Sequence, residues 1–101
     1  MNQEDEKTRD VVNAETDRRG LKAYFAAHRF YPMNRSLSYW LDTTRVVRIN
    51  LAFREVDIFT YDRPDSAFGS SIKAGGPFKG RGWRQRLANA AADAVVKARG
   101  E

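Results

Sequence analysis

Residues 36 to 62 alternate between apolar and polar side chains with a period of two, and no other feature of the chain restricts its fold so strongly. Leu37, Tyr39 and Leu41 share one phase. Val47, Ile49, Leu51 and Phe53 continue on odd numbers, whereas Val56, Ile58 and Thr60 fall on even ones. Successive side chains of a strand point to opposite faces, so each run can bury one face and show the other. Thr43 and Thr44 mark a turn. The change of phase across Arg54-Glu55 marks a second turn or a bulge, because a one-residue slip moves every side chain to the other face. The pattern predicts a three-stranded antiparallel meander over Ser36 to Asp42, Arg45 to Phe53 and Val56 to Asp62.

A different period governs the last stretch. Trp83, Leu87, Ala90, Ala91, Ala94, Val95 and Ala98 fall on one face of a helix from Gly82 to Arg99. Asp93 and Lys97 form an i,i+4 pair, and Lys97 and Arg99 suit the negative end of the helix dipole, with Gly100 as the stop. The many alanines imply close approach to the sheet. Before the meander, Leu21, Tyr24, Phe25 and His28 recur at helical spacing, which predicts a helix from Asp17 to Phe30 that Pro32 ends. Residues 1–16 are charged, with Val11 and Val12 the only strongly apolar pair. They are expected to be a flexible arm, dispensable for folding, ahead of a single domain over 17–101. Between meander and last helix lies a Gly-rich loop, Arg63 to Gly80, long enough to hide a short strand at Ser70 to Lys73. The expected fold class is therefore α+β, with an N-terminal helix, a three-stranded meander, a long loop and a C-terminal helix packed on the sheet.

Composition narrows the chemistry. The 101 residues contain no cysteine and one histidine, so disulfides, thiolate metal sites and His/Cys clusters do not arise. No apolar run reaches membrane-spanning length, and Met1 to Asp10 lacks the apolar centre of a secretory signal, so a cytoplasmic location is expected and a membrane is not. The net charge is +5, unevenly spread. Residues 1–20 hold four basic and six acidic side chains, and Arg63 to Arg86 holds six basic ones against Asp65 alone. Such a stripe attracts a phosphate backbone or an acidic protein surface.

Two sets of residues are candidates for binding. Lys79, Arg81, Arg84 and Arg86 crowd glycines 80 and 82 at the start of the last helix, where free amide groups already favour an anion, and Lys73 lies shortly before them. Trp40, Phe59 and Tyr61 fall on the sheet face opposite the core, with Arg48 among them. Aromatics interleaved with arginine can stack bases, and they can equally anchor a protein. The leading expectation is a small nucleic-acid-binding domain that uses the basic loop and helix start, extended by the sheet aromatics. The alternative is a protein-binding antagonist or adaptor, of the type mobile elements encode against host proteins, acting through the sheet face. A symmetric pair of copies is compatible with either.

A catalytic role is less favoured, and no side chain is assigned one. Glu55, Asp57 and Lys73, with the order helix, strand, loop, Ser71-Ile72-Lys73 and basic helix, resemble the PD-(D/E)xK nuclease core. That family places a second carboxylate where this chain has Ser71, so the resemblance implies at most a degenerate nuclease. The order α-β-β-β-α, with Lys79, Arg81 and Arg84 ahead of the Ala88 to Ala94 stretch, also resembles a double-stranded-RNA-binding domain. His28 reads as a packed side chain, and Ser66, Ser70 and Ser71 have no nucleophile-elbow setting. No cofactor or metal is expected.

Overall fold

A computed structural model of the chain describes residues 1–27 and 35–100. Its elements are α1 (Gln3–Arg18), β1 (Ala26–Ala27), β2 (Ser36–Trp40), β3 (Arg45–Asn50), β4 (Glu55–Tyr61), β5 (Gly69–Gly75) and α2 (Trp83–Arg99). The five strands form one antiparallel sheet in chain order. The α+β class and the number of helices agree with expectation; the place of the first helix and the strand number do not. The strand hidden in the Gly-rich loop is β5, and two residues ahead of the meander add β1. Among the described residues no helix is long and apolar enough to cross a membrane.

Register explains the core. Leu37 lies opposite Ile49, which lies opposite Val56, and Tyr39, Val47, Ile58 and Ile72 form the next row. The inward members Leu37, Val47, Ile49 and Val56 are fully buried and join Phe25, Leu51, Leu87, Ala91 and Val95 in one cluster. The α2 helix crosses β3, β4 and β5, and α1 packs beside it, so both helices cover the same face. Alanine spacing permits this approach. A Cβ placed on Gly75 of β5 would lie 3.1 Å from the Ala90 Cβ. On the apolar face of α2, Leu87, Ala91 and Val95 are fully enclosed, whereas Trp83 is only partly buried. Phe53 departs from the pattern. The strand ends at Asn50, residues 51–54 turn, and Phe53 is exposed.

The N-terminal third overturns the helix expected over 17–30. The helix is α1, over residues 3–18, where a flexible arm was expected. Asn2 accepts the Asp5 amide at 2.8 Å, and Glu4, Asp5 and Glu6 occupy the positive first turn. At the other end the Gly20 amide donates to Asp17 and the Leu21 amide to Thr16, with Gly20 at φ +69°. That arrangement is a glycine C-terminal stop. Gly20 therefore closes α1. Residues 21–25 then run without regular secondary structure into β1, because α1 takes over their backbone hydrogen bonds. The Asn13 side chain accepts the Phe25 amide at 2.8 Å and donates to the Phe25 carbonyl at 3.0 Å, and Thr16 Oγ1 donates to the Ala23 carbonyl at 2.8 Å. Side chains here alternate, with Ala23 and Phe25 buried and Tyr24 exposed. The portion of the expectation that involves His28, Phe30 and Pro32 lies outside the described residues.

The α1–α2 seam is polar. Glu15 is nearly buried, accepts Arg18 at 2.5 Å and Arg19 at 2.6 Å, and also takes a bond from Gln85 of α2 at 3.0 Å. Hydrogen bonds from Arg18 first, then Arg19, hold its carboxyl down to about 2. Arg19 reaches on to Asp93 of α2 at 2.7 Å.

Candidate nucleic-acid interface

Residues 76–82 bring β5 to α2 beside the 51–54 turn. The Phe78 amide donates to the Arg54 carbonyl at 3.1 Å, and a Cβ on Gly76 would meet that carbonyl oxygen at 2.5 Å. Only glycine fits where the two backbones run so close. Gly80 and Gly82 have φ near +80°, and Gly82 caps α2 without a side-chain bond. No acidic residue occupies the first turn of α2. The positive end of its dipole therefore faces outward uncompensated, among cationic side chains.

The four expected cations have different roles. Lys79 and Arg81 are exposed, and neither has an ion pair among the described residues. The Arg86 guanidinium turns back on the loop, donating to the Arg81 carbonyl at 2.7 Å and to the Lys79 carbonyl. It thereby fixes the curve from which Lys79 and Arg81 project. Arg84 ties α2 to α1, donating to Thr8 Oγ1 at 3.0 Å and pairing with Glu4. These two residues were expected to be solvated ligands of a polyanion; long-range partners in α1 and the loop backbone occupy them instead.

Arg54 is a residue the sequence reading missed. Its guanidinium carbon stands 3.9 Å from the Trp83 ring centroid, and that of Arg84 stands 4.6 Å away. Arg54 has no carboxylate partner among the described residues, and its backbone is left-handed at φ +57°. An arginine held over an aromatic ring keeps donors free at little further entropy cost. The break in apolar phase at Arg54-Glu55 located this turn but gave no hint of the stacking.

Lys73 lies apart from this corner. It stands on the second sheet face, across from Asp57 and 3.7 Å from Glu55. That face also carries Arg48, bonded to Asp57 at 2.9 and 2.5 Å and placed 4.3 Å over the Phe59 ring. Trp40 stacks on Tyr61 at 5.7 Å, and Phe59 meets Tyr61 edge-on at 4.7 Å. The aromatics thus cluster on the face opposite the helices, as alternation predicts. The face is not an open platform, however. Val46 is fully buried there, Ser36 and Ser38 nearly so, and Trp40, at 41%, is the most exposed of the three aromatics. Phe59 needs Gly69 beside it, since a Cβ on Gly69 would lie 2.8 Å from its ring. Glu55 and Asp57 each face a cation, and among the described residues no three His, Asp or Glu side chains gather as a metal site.

No protein-family model, curated protein or solved structure matches this chain.

Proposed function

We propose that the chain binds nucleic acid through phosphate contacts at the corner made by the 51–54 turn, residues 76–82 and the start of α2. The observation that carries this reading is the set of uncommitted cations gathered there. Lys79 and Arg81 project from a glycine loop, and Arg54 lies on Trp83 beside them, at the uncapped positive end of a helix with no acid in its first turn. Arg86 and Arg84 act behind them, one shaping the loop and the other anchoring the helix. A phosphate backbone supplies the missing negative charge, and glycines 80 and 82 leave room for it. This arrangement positions a backbone and reads no bases, so affinity should vary little with sequence.

Fluorescence anisotropy with labelled single- and double-stranded oligonucleotides at two salt concentrations tests the reading. Substituting Lys79 and Arg81 together by Ala should flatten the salt slope by about two units, roughly 0.9 per phosphate contact on a duplex. Adding Arg54→Ala should flatten it further. Absence of binding tighter than about 100 μM at low salt, the weak end of non-specific association, would overturn it.

One observation favours a second reading, a protein partner docked on the other sheet face: the stacked Trp40–Tyr61 pair with Trp40 part-exposed. In that case Trp40→Ala abolishes capture of the partner, salt matters little, and the Lys79/Arg81 change has no effect.

A further inference from the structure

A different part of the molecule carries an inference independent of nucleic-acid binding. β5 is an outer strand of the sheet and, among the described residues, pairs only with β4. Gly69 to Lys73 are all exposed, and Ile72 and the preceding Phe68 are 64% and 76% exposed. Ile72 lies opposite Ile58, on the face that the helices cover, but at the rim that α2 leaves open. An edge strand presents unpaired backbone donors and acceptors, and apolar side chains beside them make it a template for another strand.

The sequence of this edge selects its occupant. Residues 69–75 read Gly-Ser-Ser-Ile-Lys-Ala-Gly. Turned about Ile72 against itself, the strand sets Ile72 opposite Ile72 and Ser71 opposite Lys73, with Ser70 meeting the bulge at Ala74. The charged side chain then faces a small polar one, and the central isoleucines cover each other. Opposed residues share a face, so Phe68 and Ile72 of both copies line up as one apolar stripe. Other symmetric registers lose this match. Centring on Lys73 sets two ammonium groups directly opposite, and centring on Ser71 sets Ile72 against Ser70 and leaves it half-covered.

We propose that β5 pairs antiparallel with β5 of a second copy about Ile72, joining the two sheets into one. Each copy carries a net charge of +5, so their repulsion opposes pairing and salt relieves it. The dimer should therefore strengthen with salt, whereas phosphate binding weakens. That opposite response separates failure of this proposal from failure of the nucleic-acid reading.

The test uses the full chain and exploits its lack of cysteine. Sedimentation velocity over a concentration series should show monomer passing to dimer, with more dimer at higher salt, and Ile72→Lys should leave only monomer. Under mild oxidation Ile72→Cys should form a covalent dimer many times faster than a control cysteine at exposed Ala14. A mixture of Ser71→Cys and Lys73→Cys proteins should cross-link with each other in preference to themselves, because only the mixed pair is directly opposed and within disulfide reach. Monomer throughout, up to about 1 mM, overturns the proposal. So does a dimer that survives Ile72→Lys, or cross-linking of Ile72→Cys no faster than the control.

Discussion

The two helices lie side by side on the same sheet yet are held by different physics. α2 buries Leu87, Ala88, Ala91, Ala92, Ala94 and Val95, an apolar stripe that would drive a helix onto almost any hydrophobic sheet. α1 buries Asp5, Thr8, Val12, Glu15 and Thr16, only one of them aliphatic. It is positioned by its caps, by Asn13 and Thr16 gripping the chain that follows, and by ion pairs to α2 and to Arg35. Hydrophobic burial is tolerant of small shifts, whereas hydrogen bonds and paired charges work only in a narrow geometry. The contrast teaches that a helix with little apolar content can still be an integral part of a fold, provided that every buried polar group has a partner. Among the described residues no buried side-chain nitrogen or oxygen lacks one.

The severest way to break this contrast is to delete residues 1–16. If α1 is integral, the remainder should lose its cooperative thermal transition by circular dichroism; a melting temperature within a few degrees of the full chain would show that α1 is an appendage. Leu87→Ala comes next, with an expected cost of about 2–5 kcal/mol by urea unfolding, as for other fully enclosed leucines. Asn13→Ala should cost about 1–3 kcal/mol, because it leaves the Phe25 amide and carbonyl without their partner. A loss under about 0.5 kcal/mol would mean that water replaces the clamp.

Acid distinguishes the helices more finely. The Glu15 carboxyl sits at about 2, below its ordinary 4.5. A group whose value is lowered on folding contributes fully above its unfolded value and progressively less as pH falls towards the folded one. The α1–α2 seam should therefore weaken between about pH 4.5 and 2. Amide exchange should accelerate in α1 first, and Glu15→Gln should remove that part of the pH dependence. Asp42 adds a background in the same direction, lowered from 3.8 to about 2 mainly by the Thr44 amide and then by Arg45. The smallest expected effect is that of Arg18→Ala, under about 1 kcal/mol by urea unfolding, since that side chain is mostly exposed and Glu15 keeps its bonds to Arg19 and Gln85.

What could be read in advance follows the same division. α2 and strands β2 to β4 were legible because burial writes apolar residues at a fixed period. β5 was only glimpsed, since its glycines serve close packing against Phe59 and α2 and break any pattern. α1 was missed because its markers are caps and charges at its ends: Asn2, the acids at 4–6, the arginines at 18–19 and Gly20. Leu21, Tyr24 and Phe25 imitate a helical stripe, but Ala23 and Phe25 point inward and Tyr24 outward, a period of two. At the candidate interface, Lys79 and Arg81 were legible as a local cluster. The duties of Arg84 depend on Glu4 and Thr8, 80 and 76 positions away, and no local pattern records them.

That separation along the chain bears on how the protein is made. At about 5–20 residues per second, synthesis runs for roughly 4–15 s between the emergence of α1 and that of its partner α2. Throughout that interval α1 lacks the helix it packs beside. An apolar stripe left bare for so long would invite chaperones or neighbouring chains, whereas a helix of caps and charges can wait in water. On stalled nascent chains, α1 should stay open to exchange while synthesis has not passed residue 83, and should become protected once α2 is released.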